Sequence, residues 1–461
     1  YRQSNGKDLE SLSHVVGFLG RVSPEEYATL APQRYRASDM VGKTGIESAY
    51  EARLRGTSGI RTVLVDARGR IVATPAVAPP VAGQTVPLSI DLKLQETAER
   101  ALRAGIGRAG ARRGAAIAMD PHTGEILALV SVPAFSSSAL AAGLSPSAYA
   151  ALVQNADHPL FPRAIAGTYP SGSTIKPVVA AAALSTGVVT PQTRVLSTGG
   201  LRVGASFFPD WQAGGHGWVS VTDALAQSVN TFFYVVGGGW PRATAPRGGP
   251  QQADALGPDR LAESFRAFGF GIPTGIDLPG EVSGFVPTPT WKEQERGEPW
   301  YIGDTYHLAI GQGDLLATPL QIAVATAAFA NEGRRVVPRL VSAFVNQGSS
   351  ASGEENQELI SGITGEAINV VRQGMRLAVT NGSARGLADL PFFVAGKTGT
   401  AQTTPNRRPH AWFTGFAEAR SAKPQATSPR SVVITVLVEE GGEGSHTAVP
   451  IAREILSAWA Q

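Results

Sequence analysis

Apolar residues in this chain come in two forms, short solid runs and stripes at helical spacing, and their order predicts the architecture. Ala115 to Met119 is a solid run closed by Asp120. Pro121-His122-Thr123-Gly124 makes a turn, and Glu125 to Val130 returns as the hairpin partner. Phe392 to Thr400, Ala411 to Ala417 and Val432 to Val438 predict further strands, followed by a helix from about Val449 to Trp459. Between these groups, from about 140 to 335, the pattern is mostly helical with long loops. Strands at both ends of a helical middle predict an antiparallel sheet sandwiched by helices, an α+β domain.

The N-terminal part reads differently. Pro24-Glu25-Glu26-Tyr27 opens a turn or helix, and Gly45 to Arg55 predicts a helix. Ile60 to Asp66 and Ile71 to Thr74 predict strands around the turn Ala67-Arg68-Gly69. The Pro/Gly-rich stretch Ala76 to Gly83 is the best boundary, which divides the chain into 1–83 and 84–461. A strand, Val86 to Ile90, and a charged amphipathic helix, Leu92 to about Ala104, follow it. Gln347 to Glu358 is polar and reads as a surface loop. There is no internal repeat.

Composition narrows the class. With 461 residues, 43% hydrophobic and 17% charged, the chain is globular and long enough for two domains. A net charge of +3, without any Lys/Arg run, gives no nucleic-acid footprint. It leaves a mild preference for carboxylates or anionic surfaces. The absence of cysteine excludes disulfides, thiolate metal sites and a Cys nucleophile. No apolar run approaches the roughly 18 residues that cross a bilayer. Tyr1 opens in polar sequence without an initiator Met, so the chain is expected to be a truncated or processed piece, in which a lost N-terminal anchor would leave no trace.

Three motifs carry candidate chemistry. Ser173-Thr174-Ile175-Lys176 opens an apolar helix, and a spacing of three puts Lys176 on the face of Ser173. Ser228-Val229-Asn230 lies within Leu225 to Tyr234, and Lys397-Thr398-Gly399-Thr400 lies on a predicted strand. Each is weak alone. Ser4-Asn5-Gly6-Lys7, Lys43-Thr44-Gly45 and Ser89-Ile90-Asp91 match the same patterns, but in another order and in a charged segment without an apolar helix after Ser4. Taken singly, the five polar residues could be a helix cap, surface lysines and a turn. Order, spacing and context together favour S-x-x-K, S-x-N and K-T-G, the signature of penicillin-binding proteins and serine β-lactamases.

Over nearly its whole length the chain resembles a class B penicillin-binding protein of the elongation type. Val41 to Glu47 with Leu54-Arg55-Gly56 resembles the pedestal (dimerisation-type) motif. Asp210-Trp211, Gly214 to Gly217, Thr231 to Tyr234, Thr274 to Leu278, Gly303 to Thr305, Gly311-Gln312-Gly313 and Lys397 to Gln402 resemble the elongation type. The cytoplasmic tail, membrane helix and part of the head region usual in that family are missing, and Ser4 to Lys7 could mark a deletion or junction. The resemblance implies a D,D-transpeptidase on the extracytoplasmic face of the bacterial cytoplasmic membrane, without a cofactor. Its partners would be stem peptides ending in D-Ala-D-Ala, β-lactams and a membrane glycosyltransferase of the shape-determining family, reached through the pedestal.

It also implies roles. Ser173 is the nucleophile, Lys176 its base, with a pKa lowered by burial and Lys397, and Ser228 a proton relay. Asn230 holds the donor's amide. Lys397, Thr398 and Thr400 grip its carboxylate, Gly399 lets the backbone come close, and the N–H groups of Ser173 and Thr400 form the oxyanion hole. Some elongation-type relatives hold zinc with Asp, His and Cys ligands. Here Asp210 and His216 are the residues concerned; without any Cys the expectation is no metal and a hydrogen-bonding role for His216. His410 and His446 are expected to flank the sheet without catalytic roles. A β-lactamase, a carboxypeptidase, a β-lactam sensor and a division-type transpeptidase share the motifs. The pedestal-like segment argues against the first and third, and Asp210 to Gly217 against the last.

Overall fold

The computed structural model describes residues 9–33, 35–240, 254–342, 356–404, 406–419 and 430–461. Ser4 to Lys7 and most of Gln347 to Glu358 lie outside them.

Five strands form the central antiparallel sheet: β1 (Gly114–Met119), β2 (Ile126–Val132), β3 (Phe393–Ala401), β4 (His410–Ala419) and β5 (Arg430–Val438). Their order is β3-β4-β5-β1-β2, so chain-distant β5 and β1 pair in the middle and β3 is an edge. Both faces are covered, which is why the strands read as solid apolar runs. Ala115, Ile117, Met119, Val433 and Leu437 face the helical middle. Ala116, Ala118, Ile434 and Val436 face a layer made by α1 (Leu92–Ala109) and the C-terminal helix (Gly444–Trp459).

The opposite layer holds α2 (Lys176–Ser185), α3 (Asn230–Gly238), α4 (Pro319–Ala330) and α5 (Gly365–Asn381). Helix α4 is buried on all sides, in keeping with its sequence after the Thr318 cap, which is apolar apart from Gln321 and Thr326.

Several expectations shift. Gly45 to Arg55 forms two short helices, Gly45–Ala49 and Glu51–Leu54, broken at Tyr50, whose hydroxyl donates to Asp277 at 3.1 Å. The strand from Ile71 runs on to Ala78, through part of the stretch read as a linker. Val86 to Ile90 makes no regular strand; Leu88 forms a single bridge to Val341. The helical middle also carries a small hairpin, Gly200–Val203 with Ser206–Pro209, enclosed by a second two-stranded sheet, Val195–Ser197 with Gly217–Val219. Alternation over three or four residues is too short to register as a strand in sequence. The last helix starts at Gly444, with Pro450 inside it.

The decoy motifs have structural work. Lys43 pairs with Glu26, Ser89 bonds the carbonyl of Ile126 at 2.8 Å, and Asp91 caps α1 through the N–H groups of Lys93 and Leu94. The N-terminal segment packs onto the large domain: Leu12, Val15 and Ile46 join its core, and the Ser11 N–H donates to Glu99. Among the described residues no helix is long and apolar enough to cross a membrane.

Candidate active site

Ser173 sits in a 3-10 turn, Gly172–Ile175, that feeds directly into α2. The turn is pinned from several sides. Tyr169 exchanges backbone hydrogen bonds with Ala317, both 2.9 Å. Its hydroxyl donates to Glu439 at 2.8 Å, and the Trp412 indole donates to the Pro170 carbonyl at 3.1 Å. The Gly172 N–H reaches the Gly311 carbonyl at 2.8 Å. Gly172 and Gly311 both have positive φ, and a side chain on Gly311 would lie 2.2 Å from the Gly172 oxygen. The Ser173 hydroxyl is half-buried and has no hydrogen-bond partner among the described residues.

One turn on, Lys176 is fully buried. Its Nζ donates to Asn230 Oδ1 at 2.6 Å and to the Ser228 carbonyl at 2.9 Å, and lies 3.4 Å from Ser228 Oγ. The Phe233 ring is 5.2 Å away. Ser228 adopts a left-handed conformation, φ 60°, which non-glycine residues seldom take. Burial pulls the Lys176 pKa from 10.5 to about 7, opposed by the Asp210 carboxylate. A neutral amine keeps two N–H groups, which match Asn230 Oδ1 and the Ser228 carbonyl. Its lone pair is then left for a hydroxyl proton.

Lys397, on β3, is also fully buried and donates to the Thr398 carbonyl at 2.9 Å. Burial first, and then repulsion by Lys176, holds its pKa well below the ordinary lysine value. Lys397, expected from the resemblance to lower the Lys176 pKa, is not among the causes of that shift. Burial is the larger cause for each lysine, and the repulsion between the two ammonium groups acts on Lys397.

The edge position of β3 decides what its backbone faces. In an antiparallel ladder the N–H and C=O of one residue point the same way. The Val394 carbonyl accepts from Arg376 and the Thr398 carbonyl from Lys397, so the even-numbered residues face the free edge. Thr400 is therefore turned toward the nucleophile: a Cβ on Gly172 would lie 2.9 Å from its carbonyl oxygen. Gly399 faces the interior. A Cβ there would meet Thr174 at 2.9 Å and Trp412 at 3.0 Å, so this glycine lets the strand sit on the nucleophile turn.

The three motifs thus meet, as sequence order suggests, and other residues join them. The Thr398 hydroxyl donates to Ser383 Oγ at 2.6 Å, and the Ser383 N–H donates to Ala226, tying β3 to the S-x-N segment. Nothing in sequence marks Ser383. Asp210 is buried with both oxygens occupied, accepting from the N–H groups of Trp211, Asn230 and Thr231 and from the hydroxyls of Thr231 and Ser197. His216 Nδ1 stands 3.9 Å from Asp210, and burial lowers its pKa. This pair beside Ser197 does not make a metal donor set, and among the described residues no three His, Cys, Asp or Glu side chains converge. His410 opens β4, where its Nδ1 accepts from the Glu440 N–H; His446 is exposed beside Glu443.

Residues 114–457 match the penicillin binding protein transpeptidase domain, and residues 7–88 the penicillin-binding protein dimerisation domain. The chain belongs to the penicillin-binding protein transpeptidase family. It is 35% identical to the peptidoglycan D,D-transpeptidase MrdA of Acinetobacter baumannii, over 97% of this chain and 64% of that protein. For MrdA of Haemophilus influenzae the identity is 33%, over 97% and 68%. The chain therefore spans about two thirds of the length of these curated relatives. Among solved structures it resembles Pseudomonas aeruginosa PBP2 in complex with WCK 5153, with TM-score 0.80 and 34% identity over 98% of this chain and 88% of that one. It also resembles the Helicobacter pylori PBP2 in a complex with MreC, with TM-score 0.79 and 29% identity over 97% and 77%. The mixed helix-and-sheet transpeptidase fold with its dimerisation domain agrees with the fold expected from the sequence.

Proposed function

We propose that this chain is a peptidoglycan D,D-transpeptidase of the elongation type that works through an acyl-enzyme on Ser173. The observation that carries this is the fully buried Lys176 amine, held one turn from Ser173 between Ser228 and Asn230, where burial pulls its pKa down to about 7. Lys176 takes the Ser173 proton as Oγ attacks the penultimate carbonyl of a stem peptide ending in D-Ala-D-Ala. The Ser173 and Thr400 N–H groups hold the developing oxyanion; a donor of this kind contributes about 3–4 kcal/mol. Ser228 relays the proton to the departing D-Ala amine. An amine of a second stem peptide then takes the acyl group, so one amide replaces another without ATP.

Asn230 holds the donor's backbone amide. Lys397, Thr398 and Thr400 receive its carboxylate, and the free edge of β3, through the backbone groups of Thr398 and Thr400, pairs with its extended backbone. A β-lactam enters by the same route. The division into 1–83 as a pedestal and 84–461 as the transpeptidase belongs to this reading. So do the extracytoplasmic location and a membrane glycosyltransferase reached through the pedestal. Support for such assemblies comes from the H. pylori PBP2–MreC complex, and from a similar chain in a peptidoglycan synthase complex that coordinates polymerization and crosslinking.

A fluorescent penicillin tests the reading on wild type beside Ser173→Ala. Covalent label on wild type alone, persisting for many minutes, is expected. Rapid release would mean a β-lactamase, and equal labelling of the variant would remove Ser173 as nucleophile.

A further inference from the structure

Helix α3 begins immediately after Val229, which has no side-chain oxygen to satisfy the first N–H groups of the helix. The missing cap comes from another part of the chain. Asp210 follows the hairpin strand Ser206–Pro209 and is anchored by its own N–H to the Gly199 carbonyl at 2.9 Å. Its Oδ1 accepts from Asn230 N at 2.9 Å and Trp211 N at 3.1 Å. Its Oδ2 accepts from Thr231 N at 3.1 Å, Thr231 Oγ1 at 2.9 Å and Ser197 Oγ at 3.2 Å. The neighbours of Asp210 grip the same turn. The Pro209 carbonyl accepts from Tyr234 at 3.1 Å, and the Trp211 indole donates to Gln227 at 2.8 Å. Residues 209–211 therefore hold Ser228–Asn230 from both ends.

We propose that Asp210 is a positioning residue for acyl transfer: it fixes the Ser228–Asn230 turn and, through its charge, sets the pH at which Lys176 accepts the Ser173 proton. This rests on Lys176 being that acceptor. The charged and titratable groups around Lys176 are Asp210 and His216 on the loop side and Lys397 on β3; Tyr234 lies against Asp210. Asp210 alone among these stabilises the lysine as a cation, since the repulsion between the two lysines falls on Lys397 and burial keeps His216 and Tyr234 neutral. The same carboxylate suits the positive end of α3. One side chain thus couples the geometry of the proton relay to its charge state.

The test is the second-order acylation rate with fluorescent penicillin, from about pH 5.5 to about pH 9. Wild type is compared with Asp210→Asn and with Asp210→Ser, a neutral residue that can still cap a helix. In wild type the rate rises about tenfold per pH unit and then levels as Lys176 loses its proton. In both variants the midpoint is expected to move toward acid by about one unit, with a plateau lower by roughly fivefold. A lowered plateau with an unmoved midpoint, or an alkaline shift, would overturn the proposal by leaving Asp210 a purely structural cap. Loss of fold in both variants would also overturn it. A wild-type enzyme that acylates with no pH limb in this range would instead remove Lys176 as the acceptor, and the inference with it.

Discussion

Replacing Lys176 by methionine is expected to abolish acylation and to stabilise the fold. In the unfolded chain this lysine is protonated below about pH 10.5; in the folded protein it is protonated only below about pH 7. Between these values the unfolded state binds more protons, so stability rises with pH across that window. Below pH 7 the full cost of burying the cation is present. The difference between 10.5 and about 7, at about 1.4 kcal/mol per unit, makes that cost about 5 kcal/mol. Methionine removes it while filling a similar space with an unbranched apolar chain. It also removes hydrogen bonds to Asn230 and Ser228, a loss of about 1 kcal/mol each, because both residues are half-buried and can turn to water. Relief of Lys397 from its charged neighbour acts in the stabilising direction. The variant should therefore be more stable by roughly 2–3 kcal/mol at pH 6. The advantage should shrink by up to about 1.4 kcal/mol per pH unit above pH 7. Denaturant unfolding of both proteins at pH 6, 7.5 and 9 measures it. A variant less stable at pH 6, or a difference that does not change with pH, would refute the reasoning.

Two other changes probe the support of the nucleophile turn. Glu439 accepts from Tyr169, from Arg163, which is only 2% exposed, and from Arg113. Glu439→Ala leaves that buried guanidinium unpaired and should cost about 3–5 kcal/mol, read as a lower unfolding midpoint with slower acylation. An unchanged midpoint would show that the backbone carbonyls around Arg163 suffice. Gly311→Ala places a methyl 2.2 Å from the Gly172 oxygen at φ +73°, so the turn must shift. Acylation should fall about 100-fold while the central sheet keeps its fold by circular dichroism; an intact rate would show that the turn is not pinned there.

Much of this was legible in the chain itself. Apolar runs marked four strands of the central sheet, because a sheet covered on both faces needs no polar alternation, and β3 was marked by its apolar entry Phe392-Phe393-Val394. The three motifs were legible because their chemistry depends on residue type and on spacing within one helical turn or one strand. Ser173 and Lys176 share a face for that reason alone.

Other features existed only in three dimensions. That β5 pairs with β1, leaving β3 as the edge, is a long-range choice with no local signature. It determines that Thr398 and Thr400 turn their backbone toward the cleft. Asp210 could be noticed in sequence, but its bonds to Asn230 and Thr231 span about twenty residues, and the strands around it are too short to show a period. Gly399, expected to make room for a substrate, also makes room for Thr174 and Trp412, a close approach that no local pattern shows. The sequence alone determined which groups can do chemistry and which segments can be buried. The tertiary structure decided which of those groups lose their water, and with it the charge of Lys176, because desolvation depends on everything packed around a side chain.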